Sequence, residues 1–231
     1  MTAKDILEKL GLLGSETTKK IWMKHGAREP FFGVKIENLK KIQKAVKKNY
    51  ELSLQLFATG NSDAMYLAAL IAEPEKMTRE NLNRWVENAY WYMLSEYAVA
   101  GVAAKSRLGY ELAREWIESG AEQITSAGWA TLSRIVATKP DAALDLNELE
   151  NDLDRIKSQI HHSPNRVRYT MNGFVIAIGT YVTALTGKAL NVARQIGKVN
   201  VDLGDTACKV PDAAVYIEKV KRMGRTDQKK K

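Results

Sequence analysis

The 231 residues carry 35 Lys and Arg against 27 Asp and Glu, a formal net charge of +8, and 45 % of them are hydrophobic. That content supports a sizeable core, and the charge balance favours an anionic partner, nucleic acid first. A single cysteine, Cys208, excludes an intramolecular disulfide and a Cys-rich zinc site, and no apolar run reaches membrane-spanning length, so a soluble cytoplasmic protein without a membrane partner is expected.

Nearly every periodic segment reads as a helix. The charged start MTAKDILEKLGLL lacks the apolar run of a signal peptide, and its spacing predicts a helix over 3–12. Further helices are predicted over 15–25, 36–48, 50–59, 61–72, 78–89, 92–105, 108–119, 121–138, 146–161, 164–181, 186–197 and 211–223. Val199–Leu203 is the one β-like piece. Gly14, Gly60, Pro74, Gly109, Gly120, Pro140 and Gly187 stand mostly at helix ends. With no long linker, one helical domain over 1–223 is expected, followed by a basic disordered tail, 224–231.

An internal repeat organises the helices. Tyr50-Glu51-Leu52 recurs as Tyr110-Glu111-Leu112, Leu56-Phe57 as Trp116-Ile117, and Gly60 as Gly120, an offset of 60 residues. After each glycine comes a helix rich in small residues, Ala64, Ala68 and Ala69 in one and Ala127, Gly128 and Ala130 in the other. Small residues let neighbouring backbones approach closely. Stacked hairpins of this period predict an all-α solenoid whose concave side forms a long groove.

Two segments concentrate cationic and polar groups. Over Lys35–Lys48, Ile36, Leu39, Ile42 and Val46 make an apolar stripe, and Lys40, Lys41, Lys44, Lys47 and Lys48 cover the other side. Lys35 and Lys41 are the residues taken to face phosphates. At 164–181, Ser163 is a candidate N-cap and Pro164 a first helical residue, with Val167, Met171, Phe174 and Ile178 on the apolar side. Arg166, Arg168, Tyr169 and Asn172 crowd its first turns, where the dipole suits a phosphate. The alternative is an ion-pair network with Glu148, Glu150, Asp152 and Asp154 of the preceding helix. His161-His162 has no partners at metal-ligand spacing, no phosphate-binding glycine fingerprint is present, and Gly204–Lys209 around Cys208 reads as a structural loop. Neither metal nor cofactor is expected.

The turn Pro30-Phe31-Phe32-Gly33-Val34-Lys35-Ile36, followed by Asn38-Leu39-Lys40-Lys41-Ile42, resembles that of the AlkD-type DNA alkylation-repair family, and the likeness extends from about Ile21 to Tyr181. The resemblance implies a HEAT-like superhelix with a basic concave groove that cradles duplex DNA, alkylated or structured. Active members excise cationic alkylated purines using two tryptophans, an aspartate and an arginine. Trp91 falls at the first tryptophan; Ser95 replaces the aspartate, with Glu96 beside it; Ser126 falls at the arginine and Asn172-Gly173 at the second tryptophan. Excision would therefore rest on Glu96 and Trp91. Tyr92 and Trp129 are candidates to line the groove with Arg166, Arg168, Tyr169 and Asn172, while Trp22, Trp85 and Trp116 read as packing residues. The replaced positions imply an alternative: a noncatalytic member that binds DNA structures or serves as a protein scaffold.

Overall fold

Apolar side chains three and four residues apart, bounded by side-chain caps, build thirteen α-helices and no strand among the described residues. A computed structural model describes residues 1–226 and 228–230. The chain divides into two compact units: Met1–Leu108 with Leu203–Ala207, and Gly109–Asp202 with the described residues from Cys208 onward.

The first unit holds α1 (Ala3–Leu13), α2 (Glu16–Lys24), α3 (Ile36–Val46), α4 (Tyr50–Ala58), α5 (Ser62–Ile71), α6 (Arg79–Asn88), a π-helix (Met93–Val99) and α7 (Ala100–Ala103). Thr2 and Asp5 form a reciprocal capping box on α1, and Thr78 and Asn81 form another on α6. Ser15, Asn49 and Asn61 cap α2, α4 and α5. Ile6, Leu10, Leu39, Ile42, Leu56, Met65, Ile71 and Leu82 are fully buried and form this unit's core.

The second unit holds α8 (Gly109–Ile117), α9 (Glu122–Thr138), α10 (Leu146–Gln159), α11 (Asn165–Tyr181), α12 (Thr186–Ile196) and α13 (Ala213–Arg222). The 60-residue repeat is the hairpin α4–α5 recurring as α8–α9. Gly60 and Gly120 take left-handed φ angles of 69° and 75° at the two turns, where a Cβ would be strained. In the second copy the small residues have a direct purpose. A Cβ on Gly128 would stand 2.8 Å from the Ala113 carbonyl oxygen, so α9 lies nearly backbone to backbone on α8.

Three local expectations are revised. Val199–Leu203 is extended but pairs with no strand; instead the Asn165 side chain donates to the Asp202 carbonyl and accepts from the Asp202 N–H, both at 2.7 Å. The cap position of α11 is Pro164, because the Ser163 hydroxyl turns back to the Gln159 carbonyl at 3.0 Å. The acidic groups of α10 pair with Arg114 and Lys188: Arg114 meets Asp152 at 2.6 Å, and Lys188 meets Asp154 at 2.7 Å. Of the basic tail, Asp227 and Lys231 lie outside the described residues. Lys229 and Lys230 donate to the Val136 and Ala137 carbonyls at 2.9 and 2.7 Å, at the negative end of α9.

Candidate nucleic-acid interface

The turn that carries the family resemblance is built around a buried carboxylate. Asp63, in the first turn of α5, accepts the backbone N–H groups of Phe32 at 2.6 Å and of Gly33 and Val34 at 3.0 Å. These three donors offset part of the cost of burying the anion; burial still pushes the Asp63 carboxyl above its ordinary value. Gly33 has φ 76°, and a Cβ there would stand 2.7 Å from the Ser15 oxygen and the Lys19 nitrogen, so the turn is pressed against the start of α2. The aromatic-glycine pattern is thus a device for fixing α2, α3 and α5 together. Lys35 follows directly as the residue before α3, and its side chain is exposed. Lys40, Lys41 and Lys44 are exposed too, opposite buried Leu39 and Ile42; Lys41 donates to Asn38 at 3.1 Å. Lys40, Lys41 and Lys44 make the outer face of α3 basic, while Lys47 and Lys48, expected on the same face, lie past the end of the helix at Val46.

A run of rings lies where α2 meets the π-helix. Trp91 is tied down through its indole N–H, which donates to the His25 carbonyl at 2.6 Å. The Tyr92 hydroxyl lies 2.9 Å from His25 Nδ1. Ring centroids are 6.0 Å apart for Trp22 and Trp91, 5.8 Å for Trp91 and Tyr92, and 6.3 Å for Tyr92 and Tyr97. Trp91 is buried, but Trp22, His25 and Tyr92 are half-buried and Tyr97 is 41 % exposed; Ile21 and Met23 of α2 are exposed as well. Of these rings, sequence reasoning named Trp91 and Tyr92 as site candidates and did not name Trp22, His25 or Tyr97. Trp22 read as packing because one stripe of α2 cannot reveal a neighbour some 70 positions away, and His25 carried no signal at all.

The helix predicted over 92–105 opens as a seven-residue π-helix, a rare form concentrated at functional sites. Its wider turn buries three consecutive residues, Leu94, Ser95 and Glu96, and leaves Tyr97 outside. Ser95, at the family's aspartate position, directs its hydroxyl toward the Trp91 carbonyl at 3.5 Å. Glu96 is 3 % exposed. Glu96 and Trp91, the pair expected to carry catalysis, are thus both buried, at 3 % and 7 % exposure.

In the second unit the mouth of α11 is already occupied. The Arg166 N–H donates to the Glu122 carboxylate of α9 at 2.6 Å, so the helix dipole is answered from within the chain. The Arg166 guanidinium lies 4.4 Å from the Tyr169 ring centroid, and Arg168 reaches back to Asn165 at 3.4 Å. These three side chains are half-buried. Asn172 is not a groove residue: it is 1 % exposed and donates to the Pro211 carbonyl at 2.9 Å, securing the segment before α13. Trp129 is likewise corrected. It is fully buried, edge-on to Phe174 at 5.3 Å, and presents no face to a ligand.

Residues 6–216 match the family described as DNA alkylation repair enzyme. The chain belongs to that family. It is 38 % identical over 218 residues to uncharacterized proteins of Listeria monocytogenes and Listeria innocua, covering 92 % of this chain and 94 % of each relative. A solved structure superposes with a TM-score of 0.92 at 37 % identity, covering all of this chain and 98 % of that one. It is described as a new family of proteins related to the HEAT-like repeat DNA glycosylases with affinity for branched DNA structures. The fold of this family member is accordingly the HEAT-like helical repeat.

Proposed function

We propose that this family member binds branched DNA without excising bases. The observation that carries the reading is Glu96. Hydrolysis of an N-glycosidic bond needs a carboxylate beside the developing positive charge on the sugar. Glu96, the acidic residue next in sequence to the replaced aspartate position, is 3 % exposed, and the position itself is Ser95.

What remains suits a DNA structure rather than a lesion. The outward lysines of α3 neutralise phosphates independently of sequence. The half-exposed rings around His25 suit bases left unstacked where duplex arms meet, since every base offers a π-face. The likeness to the structure with affinity for branched DNA supports this choice of partner.

The test pairs two assays. Gel shifts with a four-way junction and with a matched linear duplex, at about 50 and 200 mM salt, should show preference for the junction and a steep loss with salt. Incubation with methylated duplex should release no base above the spontaneous rate. Release that disappears in Glu96→Gln would restore the excision reading; equal binding to junction and duplex would remove the branch preference.

A further inference from the structure

The last helix, in the second unit, carries an exposed face of its own. Its inner side is firmly seated: Ala213 and Ile217 are buried, and a Cβ on Gly179 of α11 would come within 2.5 Å of the Ile217 side chain. The opposite side is bare. Val215, Lys219 and Met223 follow at i, i+4 and i+8, flanked by Tyr216 and Arg222, and all five are exposed. Val215, Tyr216 and Met223 are 59 %, 46 % and 53 % exposed.

The charge on this stripe is uncompensated. Glu218 is paired with Arg194 at 2.7 Å. Lys219, Lys221 and Arg222 make no ion pair among the described residues. The family match ends at residue 216, so the stripe from Tyr216 onward lies at and beyond its limit.

We propose that this face of α13 binds single-stranded DNA, with Tyr216 stacking on a base and Lys219 and Arg222 on the flanking phosphates. An exposed aromatic followed along one helix by unpaired cations is the chemistry of a stacking platform; duplex binding would use the cations and leave the ring idle. Choosing DNA over another polyanion rests on the reading above, but the surface is a different one.

The test is fluorescence anisotropy with a labelled oligothymidine and, in parallel, a four-way junction, using the full chain. Tyr216→Ala should weaken oligothymidine binding roughly five- to a hundredfold, and Tyr216→Phe, which keeps the ring, should retain it. Lys219→Glu with Arg222→Glu should reduce the salt slope by about 1.4, two phosphate contacts on a single strand. Circular dichroism should show all variants folded, since the three side chains are exposed. Unchanged oligothymidine affinity in Tyr216→Ala with junction binding intact overturns the inference and leaves the junction reading standing. Oligothymidine binding sensitive to Tyr216, with no junction preference in the native chain, does the reverse. Capture by phosphatidylserine vesicles in place of oligothymidine overturns the inference in favour of a membrane surface.

Discussion

The Trp91 indole N–H and the His25 carbonyl oxygen are 2.6 Å apart, a bond that joins the approach to the π-helix to the end of α2. It makes Trp91 a strut whose polar edge is spent inside the fold, while the neighbouring tyrosines carry the accessible faces. Trp91→Phe should therefore destabilise the protein by about 1–3 kcal/mol, from the lost bond and the smaller ring. Tyr97→Ala should cost about 0.5–1.5 kcal/mol, the contribution of its edge contact with Tyr92, and weaken junction binding several-fold. Urea melts and junction titrations on both variants check this; a Tyr97→Ala protein that binds as tightly as the native one counts against the ring surface.

The basic face of α3 makes a quantitative claim. Reversing Lys35 and Lys41 to Glu should lower affinity for linear duplex and junction alike and reduce the slope of log affinity against log salt by about 1.8, two contacts at 0.9 each. An unaltered slope would mean that these exposed lysines face solvent only.

Asp63 organises the turn rather than the ligand. Asp63→Asn keeps the shape but replaces one acceptor oxygen with a donor facing backbone N–H groups. The expected cost is about 2–4 kcal/mol in denaturant unfolding. Junction binding measured well below the new melting point should be retained, because no Asp63 atom is offered to a partner.

Tyr110 gives a pH signature. Burial, and then the Glu148 carboxylate that accepts its hydroxyl, push the phenol from 10.0 up to about 12, against the opposing pull of Arg114. The fold thus favours the protonated phenol. Its contribution is complete below the unfolded value near pH 10 and is lost as pH rises through about 12. Because the ring is only half-buried, solvent screening limits the loss to on the order of 1 kcal/mol. Tyrosinate absorbance of the native chain minus that of Tyr110→Phe should show one phenol titrating late.

Gly128→Ala tests the helix contact behind the repeat. The added Cβ meets the Ala113 oxygen at 2.8 Å and the Ile117 nitrogen at 2.9 Å, both backbone, so α8 and α9 must separate. A loss of roughly 2–4 kcal/mol is expected. Gly173→Ala, where nothing lies within 4 Å of the new methyl, should be neutral or slightly stabilising.

These cases also mark what could be read from the chain alone. Helix positions were legible because period and caps are local: Leu39 and Ile42, or Val167, Met171, Phe174 and Ile178, declare a buried side within a few turns. The small residues after Gly120 announced a close helix pair, and Gly128 is its point of contact. The exposed lysines of α3 followed from the same periodicity. Site assignments depended on partners far along the chain. Asn172 looked outward until Pro211, 39 residues on, took its amide, and Trp129 looked available until Phe174 closed over it. The Phe32-Gly33-Val34 pattern was visible, but its cause, Asp63, lies 29 to 31 residues away. Nor does helical periodicity distinguish a π-helix, so the register that buries Leu94, Ser95 and Glu96 together and turns Tyr97 outward was not legible.

The amide of Asn165, bonded both ways to the backbone of Asp202, acts as a single rung of a ladder supplied by a side chain. An extended segment with idle donors and acceptors invites a foreign strand to pair with it. Here that residue is satisfied in place, so Asn165→Ala should raise the tendency of the chain to self-associate on concentration before it alters any affinity for DNA.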